Sequence, residues 1–201
     1  KDGTRFDFFP VQNGEPACAA GPSFVLQGNA SRDAWTLHSA MCQRCQLRGR
    51  SSCGRRLLAR MVHYSDEVGP QKALCMDLEI PAVAIDGSCS ATCPNCSDAT
   101  APPKMARFTT RRPKWHATRQ CLTMDFRGRV ALASSKNFQL EPAQDLRKEL
   151  KEQSKLDGKK DAKPVKALFG KADSDKFVLD YSNPLSMIQA FGAALSASHW
   201  K

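Results

Sequence analysis

Nine cysteines, four of them in two C-x-x-C pairs, and two clusters of basic side chains are the residues of this 201-residue chain whose types and spacing could do chemistry. Cys42 with Cys45 and Cys93 with Cys96 are the knuckle spacings that present two thiolates each to one tetrahedral zinc ion, with Cys89 and Cys53 as alternates. The interval between the pairs is well beyond the roughly 15–20 residues of a zinc ribbon, so the two segments would have to meet in space. The competing reading is plain reduced thiols in loops. Arg44, Arg48, Arg50, Arg55, Arg56 and Arg60 form one basic cluster, and Lys104, Arg107, Arg111, Arg112, Lys114 and Arg119 a second. Arginine binds phosphate by bidentate, charge-assisted hydrogen bonds, and each cation near an anionic leaflet is worth roughly 1 kcal/mol. Nucleophilic or acid–base chemistry finds less support. His38, His63, His116 and His199 are scattered, none stands in a motif tying it to a nucleophile and an acid, and no glycine-rich phosphate loop occurs. The expectation is a protein that is not an enzyme, without a cofactor unless the cysteine pairs take zinc.

The elements that must position these groups are mostly strands. Arg5 to Phe9 places Phe6 and Phe8 on one face of an extended segment that ends at Pro10 and Asn13-Gly14. Residues 15–52 show little periodicity and read as an insertion, with Phe24-Val25-Leu26 one short strand inside it. Leu57–Tyr64 and Leu74–Ile80 are apolar runs joined by Glu67-Val68-Gly69-Pro70, a hairpin pattern. Residues 86–104, with the second cysteine pair and Pro102-Pro103, read as a loop. From Gln120 to Leu140 the period-2 signal is clearest: Leu122, Met124 and Phe126, then Val130 and Leu132, then Phe138 and Leu140. That pattern predicts consecutive antiparallel strands with Gly128 at a turn. Residues 141–166 are strongly charged and read as a third loop insertion. Strands resume at Ala167-Leu168-Phe169 and from Lys176 to Tyr181.

Asn183-Pro184 reads as a helix entry, and residues 184–199 as a helix. Apolar or small residues fall on nearly every side of it, so it should be buried all round. It is too short to span a bilayer, and a β-rich chain whose one strong helix is apolar all round suggests a barrel wrapped about that helix.

The formal charge of +10 makes polyanions the first partners to consider, either nucleic acid or the anionic cytoplasmic leaflet. No run approaches the length of a spanning helix and no secretion signal opens the chain, which leads to an expectation of a soluble, intracellular protein with reduced thiols. Lys1 stands where a methionine would start a complete chain, so the sequence reads as a fragment.

The block from Pro113-Lys114-Trp115-His116 through Asp125-Phe126-Arg127-Gly128-Arg129-Val130 to Ala133-Ser134-Ser135-Lys136-Asn137-Phe138-Gln139-Leu140 resembles the signature of the tubby-like family, in its plant-type version. Phe169-Gly170-Lys171, Leu179-Asp180-Tyr181, Pro184-Leu185 and Gln189-Ala190-Phe191 resemble its closing motifs, in the right order. Gly3-Thr4-Arg5-Phe6, Gly69-Pro70-Gln71-Lys72 and Ile80-Pro81 are weaker matches. The resemblance implies a mainly β (α+β) fold: a closed antiparallel barrel of about a dozen strands around the C-terminal helix, with the first strands missing here. It also implies a non-enzymatic, membrane-tethering or adaptor module of signalling that binds phosphatidylinositol 4,5-bisphosphate through basic residues. Carried over by motif, the headgroup contact falls on Arg56, with Arg55 beside it and Lys1 next to contacts that would precede the chain. The ending Ala197-Ser198-His199-Trp200-Lys201 departs from the family's usual close. The implied setting is cytoplasmic and peripheral at the plasma membrane, or nuclear, for a monomer that also meets protein partners. The rival reading is a zinc-stabilised nucleic-acid-binding or transcriptional-cofactor module, prompted by the cysteine pairs and the charge.

Overall fold

The computed structural model describes residues 3–12, 14–16, 21–39, 56–82, 104–143 and 165–200. Thirteen strands and one helix are found among them: β1 (Arg5–Phe8), β2 (Val11–Gln12), β3 (Glu15–Pro16), β4 (Phe24–Gly28), β5 (Ala34–Ser39), β6 (Arg56–Val68), β7 (Gln71–Pro81), β8 (Met105–Thr110), β9 (Lys114–His116), β10 (Cys121–Thr123), β11 (Phe138–Pro142), β12 (Ala167–Lys171), β13 (Phe177–Tyr181) and α1 (Met187–His199). Nine strands make one sheet in the order β1-β4-β5-β6-β7-β8-β11-β12-β13, with antiparallel registers at β1–β4, β4–β5, β8–β11, β11–β12 and β12–β13. β1 and β13 end this order. Pairing of the sheet back onto itself, as a closed barrel requires, is not among the ladders of the described residues.

The chain divides into two compact units. The first comprises Lys1–Met61, Glu79–Ala106 and Lys201. Its centre is the β4–β5 hairpin, in register Leu26↔Leu37 and Gly28↔Trp35. Val25, Leu26, Trp35 and Leu37 are at most 1% exposed. Trp35 stacks with Phe6 of β1 at 6.0 Å, and its ring lies where a Cβ on Gly28 would sit, 2.8 Å away, so that position admits only glycine without movement of the indole. Residues 24–39 are therefore core strands and not part of an insertion. Their alternation was hard to read because each strand has only two or three inward side chains, and the turn Asn29–Asp33 interrupts the period. Of the other two expected insertions, 86–104 lies outside the described residues except Lys104. Residues 141–142 belong to β11, and 144–164 lie outside.

The second unit comprises Val62–Leu78 and Arg107–Trp200. β11, β12 and β13 pair with Phe138 opposite Phe169 and Phe169 opposite Leu179. A separate two-stranded hairpin joins β9 and β10. In α1, Ala190, Gly192, Ala193, Ala194, Ser196 and Ala197 are buried, which small side chains permit by letting neighbours approach the helix backbone. Met187 and Phe191, spaced i and i+4, remain 66% and 45% exposed. The expectation of burial on every side is corrected accordingly: one face of the first turns is open. The start is corrected as well. Pro184 lies in a turn ahead of the helix, and Ser186 is the N-cap, with its N–H donating to Gln189 Oε1 at 2.9 Å. In this Ser-x-x-Gln spacing Gln189 reaches back to the N-cap amide, as in a capping box.

The hairpin expected from Leu57 to Ile80 is present as β6 and β7, longer at both ends, with Gly69-Pro70 at its turn. The consecutive strands expected from Gln120 to Leu140 are not. Only Cys121–Thr123 and Phe138 onward are extended ladders, and residues 124–137 form an irregular loop. Leu122, Met124, Phe126 and Val130 are only half-buried and Leu132 is 42% exposed, so their alternation meets no core on one side.

Candidate functional site

Of the residues that sequence singles out for headgroup contact, Arg56 is described, and Arg55 and Lys1 lie outside the described residues. Arg56 is the first residue of β6 and is half-buried. Its Nε is buried and has no hydrogen-bond partner among the described residues. The Oγ of Ser39, the last residue of the neighbouring strand β5, is in the same condition. A buried donor left unpaired costs about 1–3 kcal/mol, so Arg56 and Ser39 each keep a polar atom in need of a partner.

The remaining basic residues divide by what they hold. In the first cluster, Arg60 is exposed and 3.8 Å from Glu79, while Arg44, Arg48 and Arg50 lie outside the described residues. In the second, Arg112 clamps Asp66 Oδ2 with Nε and Nη2, which raises its pKa. Arg111 donates to Gln139 Oε1 at 3.2 Å and lies 3.6 Å from Glu141. Lys114 and Arg119 are exposed on the β9–β10 hairpin. Arg111 and Arg112, adjacent in sequence, are thus committed to different partners. Cys42, Cys45, Cys93 and Cys96 lie outside the described residues, and no group of three metal-ligating side chains occurs among those described.

Of the histidines, His63 is buried, 3.1 Å from Ser196 Oγ and stacked on Trp200 at 5.2 Å. His116 Nδ1 accepts from the Arg119 amide at 3.2 Å. Both bonds tie backbone elements together.

The irregular loop 124–137 is fastened by side chains in place of a ladder. Arg127, at φ 50°, donates its amide to Asp125 Oδ1 at 2.7 Å. Gln139, buried in β11, donates to the Asp125 carbonyl at 2.7 Å. Asn137 donates to the Leu132 carbonyl at 2.8 Å and accepts from the Lys171 amide at 2.9 Å. Lys136 donates to the Trp200 carbonyl beyond α1, and burial lowers its pKa. Arg129 grips Asp180 of β13 through Nε and Nη2, both at 2.8 Å. Those hydrogen bonds hold the Asp180 carboxyl below the usual range and raise the Arg129 guanidinium.

Between this loop and β12–β13 lies a cleft of about 490 Å³. Arg111, Arg127, Arg129 and Lys166 line it together with Asp125 and Asp180, and Phe126, Leu168 and Tyr181 give it an apolar wall. Sequence reasoning did not mark this site. Its signals were present in two separate motifs, Phe126–Val130 and Leu179–Tyr181, but nothing in the chain's order says that they meet.

The sequence pattern of the Tub family matches residues 30–199. The chain belongs to that family. It is 42% identical over 85 residues to Tubby-like F-box protein 3 of Oryza sativa subsp. japonica, covering 42% of this chain and 19% of the relative. It is 40% identical over 91 residues to Tubby-like F-box protein 10 of Arabidopsis thaliana, covering 43% and 20%. With Tubby-like F-box protein 9 of Arabidopsis thaliana the identity is 32% over 108 residues, covering 54% and 26%. The matched part is thus about a fifth to a quarter of each relative's length.

Proposed function

We propose that this Tub-family chain is a non-enzymatic module that binds the headgroup of phosphatidylinositol 4,5-bisphosphate and tethers its parent protein, as an adaptor, to the cytoplasmic face of the plasma membrane. The observation that carries the reading is Arg56: a guanidinium at a strand end whose Nε is buried and without a hydrogen-bond partner among the described residues, in a chain of net charge +10. A phosphate would supply the missing acceptor by a charge-assisted bond, with Arg55 and Lys1 adding charge beside it. Closure of the sheet into a barrel around α1 is part of the same reading. It would hold Arg56 on a rigid rim instead of a fraying edge. The relatives' names pair the tubby-like part with an F-box, which fits an adaptor.

Vesicle sedimentation tests this. Vesicles carrying phosphatidylinositol 4,5-bisphosphate should retain the chain, salt should weaken retention, and Arg55→Ala with Arg56→Ala should lower affinity by about tenfold, the loss of one or two charge-assisted bonds. Equal retention on neutral vesicles would overturn the proposal.

A further inference from the structure

The cleft of the second unit has cations to spare and an apolar wall to set beside them. Its volume of about 490 Å³ falls within the range of small-molecule sites. Two of its four cations are engaged. Arg129 is neutralised by Asp180 through two hydrogen bonds, and Arg111 is held by Gln139 and Glu141. The other two, Arg127 and Lys166, make no side-chain hydrogen bond or ion pair with any described residue. Neither acid of the lining forms an ion pair with these two side chains. Asp180 is taken by Arg129, and Asp125, which keeps its charge, turns one oxygen onto the backbone amide of Arg127. The apolar wall of Phe126, Leu168 and Tyr181 completes the lining.

We propose that this cleft binds a small phosphate monoester carried on an aromatic or alicyclic body, with the phosphate held by Arg127 and Lys166 and the body lying on Phe126, Leu168 and Tyr181. A phosphate monoester carries close to two negative charges at neutral pH, which matches two uncommitted cations. Long polyanions are disfavoured because the other two cations of the cleft are already paired. Arg127 supplies the planar fork suited to two phosphate oxygens and Lys166 a point charge. The Arg129–Asp180 bridge fixes the loop against β13 and so holds one side of the cleft in place. This site uses none of the residues assigned to the lipid headgroup, and stands or falls separately from it.

Titration of the isotope-labelled chain, followed by amide NMR, tests the proposal with phenyl phosphate, inorganic phosphate and benzyl alcohol as probes. Phenyl phosphate should give saturable shifts concentrated at residues 125–129 and 166–168, and each of the other probes should bind about tenfold more weakly, since each keeps only one of the two contacts. Arg127→Ala with Lys166→Ala should weaken phenyl phosphate by about tenfold or more, while the single Lys166→Arg, which keeps both charges and the Arg127 fork, should weaken it less than the double alanine variant does. Arg127 is exposed and Lys166 half-buried, so a dispersed spectrum is expected from every variant. Absence of shifts at those residues with millimolar phenyl phosphate overturns the proposal. So does inorganic phosphate binding as tightly as phenyl phosphate, or undiminished binding by the double alanine variant.

Discussion

Residues 56–81 and residues 120–140 carry the same period-2 alternation, and they fold differently. In the first stretch Ala59, Met61, Cys75, Leu78 and Ile80 are at most 3% exposed, and the chain runs as two long strands about a two-residue turn. In the second, the alternating side chains are half-buried at best. The backbone is irregular from 124 to 137, and Asp125, Asn137 and Gln139 do the work of a ladder. An alternating pattern therefore states that one face can be buried, while a strand also needs a neighbour whose donors and acceptors are free. Where none is free, side-chain amides and carboxylates satisfy the backbone, and the segment is left to shape a cleft.

Three comparisons of variants bear on this difference. The largest effect belongs to the hairpin. Leu78→Ala removes a fully buried side chain and should cost about 2–5 kcal/mol in denaturant unfolding, against less than about 1.5 kcal/mol for the half-buried Leu122→Ala. Equal costs would mean that the two regions share one core after all.

A smaller effect is expected where the loop meets β12. A Cβ on Gly170 would stand 2.3 Å from Val130 Cγ2 and 2.9 Å from Cγ1, and the Ala131 and Leu132 amides, at 3.2 and 3.0 Å, anchor the loop to the Lys171 carbonyl. Gly170→Ala should destabilise by about 1–3 kcal/mol. Adding Val130→Ala should restore part of that loss, giving a coupling in a double-mutant cycle. Strict additivity would show that the loop is free to move away from β12.

The smallest effect concerns the Arg129–Asp180 bridge, which is exposed on both sides and screened by solvent. Because folding lowers the Asp180 pKa, its contribution is present above the unfolded carboxylate value of about 3.9 and is lost as pH falls through the lower folded value. The difference in thermal midpoint between the parent chain and Asp180→Asn should be constant above about pH 5 and vanish in stronger acid. A difference that grows toward low pH would contradict the pairing.

The β6–β7 hairpin, β1, β12 and β13 were legible because each run is long enough, or cleanly enough bounded by Gly, Pro or charge, for its period to stand out. β5 was not. Its buried Trp35 and Leu37 are too few to distinguish two-residue alternation from chance. α1 was legible as an element, but its exposed face was not: composition shows Met187 and Phe191 to be apolar without showing whether anything covers them. Of the candidate headgroup site, only Arg56 can be followed into the fold. Its Nε, buried without a partner among the described residues, is a property of the folded sheet that spacing does not carry. The cleft was written in two motifs that sequence order keeps apart.

What the sequence by itself determined is the local content: which segments can extend, where the helix lies, which side chains carry charge, and the block from Phe126 to Leu140 that marks the Tub family. Tertiary structure alone decided which of those charges are spent. Arg112 on Asp66 and Arg129 on Asp180 are joined across 46 and 51 residues, while Arg127 and Lys166 pair with no side chain among the described residues. The physical reason is that alternation and propensity act over neighbouring residues, whereas pairing between distant charges depends on strand order and register, which emerge only when the whole sheet forms.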